Sequence, residues 1–246
     1  MFLVKCILVS LVHVLGVIDG RIFGQNLLNT PIVEGALVGL IMGDMKTGII
    51  MGATLQLIFM GFVGIGVTSL PNSSAGTILA VFFAISSGLD ADSAIALSMP
   101  IALLFQPTGI IPRIINNIFN PRCDRAADRG DYKAIEKYFW LGVLVFAIVF
   151  FVPMLLATYF GQGPVEALIR IIPDVILDGL NKASTLLPAL GIALLMNYIM
   201  DTESTPFLFL GFLLSAYLKM DSLGIAAMGL IIASVYYFFS QKRTLD

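Results

Sequence analysis

Residues 35–76 read GALVGLIMGDMKTGIIMGATLQLIFMGFVGIGVTSLPNSSAG. From Thr47 to Leu89 no residue carries a charge, and an uncharged run of that length belongs in lipid or deep inside a membrane protein. The run is not plain hydrocarbon. Gly48, Gly52 and Gln56 recur every four residues, so on a helix they share one face. The glycines leave a groove that another backbone or a ligand can approach closely. Gly35, Gly39 and Gly43 repeat the spacing and read as helix-packing positions. Gln56 reads differently, because an amide at membrane depth needs partners and polar groups there face a ligand or a cavity by default. Thr68, Ser69, Asn72, Ser73 and Ser74 follow in a loop broken by Pro71. Hydroxyls and amides without charge suit a neutral polyol such as a sugar better than an ion or an acid.

Composition widens this reading to the whole chain. Of 246 residues 58% are hydrophobic and 12% charged, against about 25% charged in a soluble globular domain. Mean hydropathy is +0.96. These values define an all-α polytopic membrane protein. The net charge of −2 offers nothing to nucleic acid. Cys6 and Cys123 are isolated and have no redox or metal spacing. His13 is the single histidine; it reads as a packed residue, since metal sites want several convergent ligands. No metal and no cofactor is expected. The start, MFLVKCILVSLVHVLG, imitates a signal peptide but lacks a small-x-small cleavage site. It reads as a retained first helix over 1–18, about the length of an interfacial or partly inserted segment.

Pro31–Gly43 and Thr47–Met60 form two short apolar helices on either side of Asp44-Met45-Lys46. Asn29 or Thr30 caps the first, with Pro31 at its first position. Each is about 20 Å long against a hydrocarbon core of about 30 Å. They read as a re-entrant hairpin or as two ordinary spans extended by their flanks. A short helix over 75–89 follows, then a helix from Asp92 or Ser93 to Ile111, interrupted by Pro100 and Pro107. Gln106 sits at that interruption, where it can satisfy freed carbonyls or contact a substrate.

Residues 113–137 hold Arg113, Arg122, Arg125, Arg129, Lys133 and Lys137, interleaved with acids. The positive-inside rule puts this basic loop in the cytoplasm. It is a solvated face, part of it helical with i,i+4 pairs, or a docking surface. Tyr138–Phe160 is the clearest span; 161–183 reads as an interfacial helix, and 184–200, 205–218 and 222–240 as further apolar helices. Counting passes brings the C-terminus, with Lys242 and Arg243, to the cytoplasmic side. The chain is read as one membrane-embedded domain over 1–246: a glycine-rich half (1–112), the basic loop (113–137) and a C-terminal helical half (138–246).

These residues resemble a known family. The stretch GLIMGDMKTGIIMGATLQLIFMGFVGIG is similar to the signature region of the enzyme IIC subunits of the mannose/fructose/sorbose class of the bacterial phosphotransferase system (PTS, EIIC). Pro100 with Gln106, Arg113, the run Cys123–Asp131 and IPDVILDGLN (172–181) fall in the family's order and spacing. The resemblance implies a sugar-translocating subunit in the bacterial cell membrane. It implies a IID membrane partner, phosphate arriving through soluble IIA and IIB subunits, no phosphorylated residue in this chain, and an elevator-type motion. Family members often carry Glu where this chain has Gln56, and Gln also occurs; a glutamine still donates and accepts hydrogen bonds to a sugar hydroxyl.

The expected sugar contacts are Gln56, Thr68, Ser69, Asn72 and Ser73, with Gln106 as a further candidate. The expected packing glycines are Gly35, Gly39, Gly43, Gly48 and Gly52. An ion-coupled secondary transporter of a neutral solute is the alternative; it wants an ionisable residue at membrane depth, and the uncharged run argues against it. A membrane-embedded enzyme would need a nucleophile with a base, paired carboxylates or metal ligands, and no such pattern is visible in the sequence.

Overall fold

The structure is a computed structural model that describes residues 2–62, 70–161, 174–201 and 205–243. The described residues form helices and connections, without strands. The chain divides into two units, Met1–Leu195 and Met196–Asp246.

In the first unit, α1 (Phe2–Ile18) continues into a π-helical turn over Asp19–Phe23. Together they make 22 residues, long and apolar enough to cross a membrane. The partly inserted segment expected from 1–18 is therefore longer, because the polar residues after Ile18 extend the helix instead of ending it. The π turn closes at Gly24, whose φ of +87° suits glycine. Asp19, fully buried, holds the returning chain. Its Oδ1 accepts from Asn26 Nδ2 at 2.7 Å and its Oδ2 from Leu28 N at 3.2 Å.

α2 (Pro31–Met42) and α3 (Met45–Phe59) form a hairpin. Thr30 stands at the N-cap of α2, but its hydroxyl donates back to Leu27 O at 2.7 Å and does not cap. The link is Gly43–Asp44, one residue earlier than the turn expected at 44–46. Gly43 takes φ +98°, and Asp44 caps α3 by accepting from Thr47 N at 3.1 Å and Thr47 Oγ1 at 2.6 Å. A Cβ on Gly35 would stand 2.6 Å from Gly48 O and 2.8 Å from Gly52 Cα; one on Gly39 would stand 2.7 Å from Asp44 O. The backbones of α2 and α3 thus touch where Gly35, Gly39, Gly48 and Gly52 remove the side chains. Gly43 does something else. Nothing lies within 4 Å of a Cβ built there, so it serves the turn through its left-handed φ and not the packing expected of it.

α4 (Ser73–Ser87) is the central helix of this unit. Every residue from Ser74 to Ala84 is buried, and a helix apolar on all sides is one enclosed by others. Ile78, Leu79, Val81 and Phe82 meet Val9 of α1, Val38 of α2, and Met51, Leu55 and Ile58 of α3 in one core. Ala94 and Ile95 of α5 (Ala91–Leu104) and Met154 of α8 (Tyr132–Phe160) complete it. Gly76 brings α4 against α5, since a Cβ there would stand 2.6 Å from Ser98 O. α5 is capped by Asp90, which accepts from Ser93 N at 3.0 Å, and not by Asp92 or Ser93.

The helix expected through Ile111 breaks at Phe105–Gln106 and resumes as α6 (Pro107–Asn116). The basic segment that follows is largely helical: α7 (Asn120–Asp128), a turn at Gly130, and α8, capped by Asp131 and starting six residues before Tyr138. Its cations reach carbonyls. Arg122 donates to Ile118 O at 3.2 Å and Arg125 to Pro121 O at 3.0 Å. α9 (Asp174–Ile199) is one continuous helix where an interfacial helix and a separate span were expected. The stretch 162–173 lies outside the described residues.

The second unit contains α10 (Thr205–Leu218) and α11 (Ser222–Arg243), joined at Lys219–Asp221. Asp221 Oδ1 accepts from Gly224 N at 2.8 Å.

Candidate functional site

Gln56 lies in the last turns of α3 and is half-buried. Its side-chain oxygen Oε1 is buried and meets no donor among the described residues. The same turn meets two other helices. Phe59, three residues on, sets its ring against Gly76 of α4, and a Cβ on Gly191 of α9 would stand 2.6 Å from Ile58 O. Gln56 is thus carried to a convergence of the end of α3, the start of α4 and the middle of α9.

Asn72 stands at the start of α4 and is fully engaged inside the protein. Its Oδ1 caps the helix by accepting from Ala75 N at 3.0 Å. Its Nδ2 donates to Thr108 Oγ1 at 3.1 Å, and its backbone N–H donates to Ala102 O at 2.9 Å. Asn72 therefore ties α4 to the break between α5 and α6. Ser73 is the first residue of α4 and half-buried. Gln106 sits in the break itself, also half-buried, two residues before Thr108. The structure brings the elements carrying Asn72, Ser73 and Gln106 together through these bonds. Thr68 and Ser69 lie outside the described residues.

One polar cluster was not read from the sequence. Glu34 on α2, His13 on α1 and Ser74 on α4 meet in the core, with Glu34 and His13 fully buried. Ser74 Oγ donates to Glu34 Oε1. A hydroxyl has one proton, so in that arrangement Ser74 accepts from His13 Nδ1, 2.7 Å away. The second atoms of the pair, Glu34 Oε2 and His13 Nε2, meet no partner among the described residues, and neither does the hydroxyl of Thr77, one turn along α4. Gly16 makes room for the carboxyl, because a Cβ there would stand 2.8 Å from Glu34 Oε1. The ring of Phe150 covers His13, with centroids 5.3 Å apart. His13 is packed as expected of it, but it packs in company.

This cluster corrects one expectation. Titratable groups do stand in the core; the charge-free run began at Thr47 and so passed over Glu34, a single acid in the apolar stretch 31–43. That isolation was the available signal. The order of the three groups is not that of a hydrolytic triad, in which the imidazole lies between hydroxyl and acid. Here the hydroxyl lies between, and its proton faces the acid. Among the described residues, no three His, Cys, Asp or Glu are grouped to hold a metal ion.

Comparison with known proteins follows the same outline. Residues 3–235 match the family model of the sorbose-specific IIC component of the phosphotransferase system. The mannose-specific EIIC component of Escherichia coli K12 is 30% identical over 91% of this chain and 84% of its own length. The N-acetylgalactosamine permease IIC component 1 of the same strain is 33% identical over 96% of this chain and 87% of its own. A membrane protein of known structure superimposes with a TM-score of 0.84 at 28% identity, over 95% of both chains. A chain of the mannose transporter ManYZ, solved by cryo-electron microscopy with microcin E492, gives 0.61 at 28% identity over 96% of both.

Proposed function

The chain belongs to the sorbose-type IIC family of the phosphotransferase system, and from that membership we propose that it carries a hexose or amino sugar across the bacterial cell membrane for phosphorylation. IIC components are membrane permease subunits. In this reading the chain works beside a IID membrane subunit, and soluble IIA and IIB subunits deliver the phosphate. The observation that carries the sugar reading is the amide of Gln56. It offers hydrogen bonding without charge, its Oε1 unpaired among the described residues, where α3, α4 and α9 converge. A sugar hydroxyl answers such an acceptor, and a buried polar group without a partner is costly. Ser73 and Gln106, with Thr68 and Ser69, are the further contacts in this proposal. Asn72 shapes the site by holding α4 to the α5–α6 break. Residues 113–137 and the C-terminus face the cytoplasm, following their basic residues.

The test is uptake of labelled hexoses and amino sugars by vesicles containing the complex, with and without phosphoenolpyruvate and the soluble phosphotransferase proteins. Sugar should accumulate as its phosphate only when the soluble proteins are present. Ion-coupled transport is the second reading, and buried Glu34 and His13 favour it. Uptake that collapses when the proton gradient is dissipated, with phosphoenolpyruvate still supplied, would replace the first reading by the second.

A further inference from the structure

A cavity of about 370 Å³ opens at the end of α1, between it and α6, α7 and α8. Its walls are mainly apolar, with Ile18, Phe139 and Phe146 among them, and it also takes in Arg21, Asn116 and Tyr138. Two features there are incomplete. Arg21 lays its guanidinium over the Phe146 ring at 4.2 Å and donates Nη1 to Val17 O at 2.7 Å. Arg113, one turn before Asn116 on α6, is exposed beyond the cavity's lining, and its positive charge acts on Arg21 from there. Neither arginine has a carboxylate at ion-pair distance among the described residues. Asn116 donates Nδ2 to Gly142 O at 3.3 Å, which fixes the orientation of its amide. Its Oδ1 is then a buried acceptor with no donor among the described residues.

The cavity lies where the helix over Phe2–Phe23 ends and that over Tyr132–Phe160 begins, beside the basic helix α7. Such basic pockets between membrane helices recognise anionic head groups. We propose that this cavity binds an anionic phospholipid whose head group carries a hydroxyl, of the phosphatidylglycerol type. The phosphate sits at Arg21, whose planar fork suits it, and the charge of Arg113 nearby adds to the attraction. A head-group hydroxyl donates to Asn116 Oδ1. The first carbons of one acyl chain lie along Ile18, Phe139 and Phe146. Free inorganic phosphate shares the charge but leaves that wall uncovered, and a zwitterionic, hydroxyl-free lipid has the phosphate but brings a quaternary ammonium toward the arginines and no hydroxyl for Asn116.

The experiment is native mass spectrometry of the purified complex titrated with phosphatidylglycerol, phosphatidylcholine or inorganic phosphate. Phosphatidylglycerol should bind about tenfold more tightly than phosphatidylcholine, or better, because its net negative charge faces Arg21 and the nearby Arg113 without a compensating ammonium, and inorganic phosphate should not compete with it. Arg21→Gln with Arg113→Gln should erase the preference. Gly142→Leu fills the cavity while leaving both arginines, and should remove the bound lipid. Arg125→Gln, on α7 and outside this cavity, should keep the preference. Equal binding of the two lipids, an unchanged preference in the double variant, or equal losses in Arg125→Gln would each overturn the proposal. Displacement by inorganic phosphate would also overturn it, as the mark of a simple anion site. Where the double variant fails to assemble, Gly142→Leu and Arg125→Gln decide the question alone.

Discussion

The protein contains two helical hairpins built on opposite principles. α2 and α3 lie backbone to backbone: a Cβ on Gly48 would fall on Gly35 O and within 2.8 Å of Gly39 Cα. α10 and α11 stay apart. A Cβ on Gly211 would reach only Ile225, at 3.8 Å, one on Gly229 would meet nothing within 4 Å, and about 360 Å³ of space lies between Phe207, Leu210, Ile225 and Met228. No residue of α10 is buried, and Phe209, Phe212, Leu223 and Leu230 are all exposed. Both hairpins are strongly apolar, so hydrophobicity does not separate them. Lipid tails are as apolar as leucine, so membrane helices associate through close packing and hydrogen bonds and not through escape from water. The first hairpin has four glycines in facing positions, and its α2 carries Glu34, bonded to Ser74. The second has neither device among its described residues.

The comparison can be broken most severely at Gly48. Gly48→Val drives a branched side chain into backbone that no rotamer change can move, and overpacking of this kind costs about 1–3 kcal/mol or more. The extracted, assembled complex should be largely lost, measured by size-exclusion yield at equal expression. Gly211→Val should keep most of it. Equal yields would remove the distinction between the hairpins.

Glu34→Leu should cost about 1–3 kcal/mol by leaving the Ser74 hydroxyl without its acceptor, read as a lower midpoint of thermal unfolding in detergent. Ser234→Leu on α11 removes a hydroxyl that bonds only to its own helix, at Leu230 O, and should move the midpoint little. A stable Glu34→Leu protein would mean that glycine packing alone holds α2.

Gln56→Leu tests whether the tight hairpin is also the functional one. The apparent Michaelis constant for sugar should rise about ten- to a hundred-fold, from about 1–3 kcal/mol per lost buried partner, with assembly unchanged. Gln56→Glu should keep transport with an altered sugar preference. Normal uptake of every sugar by Gln56→Leu would make Gln56 a packing residue.

The smallest effect has the opposite sign. Gly229→Ala on α11 enters open space and removes the helix penalty of glycine, and should stabilise by about 0.5–1 kcal/mol. Gly39→Ala, with backbone 2.7 Å from the new Cβ, should destabilise.

Much of the tight hairpin was legible before any coordinates. Four-residue glycine spacing specifies a face on a 3.6-residue helix, so Gly35 and Gly39 on α2, and Gly48 and Gly52 on α3, could be put on common faces from spacing alone. Gly43 fits the same arithmetic but ends a helix, and spacing cannot distinguish a packing glycine from a terminating one. The convergence at Gln56 was partly legible, since an amide in an uncharged run is conspicuous. The engagement of Asn72 was not, because its partners Ala102 and Thr108 are 30 and 36 residues away.

The amino-acid sequence determined what is periodic or local: the helical class, the membrane setting, the interruption at Pro107 and the family. Its patterns are set by backbone geometry and by solvent, which act on neighbours along the chain. The tertiary structure decided which distant side chains share a space. His13, Glu34 and Ser74 come from three helices, and their meeting depends on how α1, α2 and α4 pack. The openness of α10 against α11 was likewise settled in three dimensions, because equally apolar helices differ only in how closely their backbones can approach.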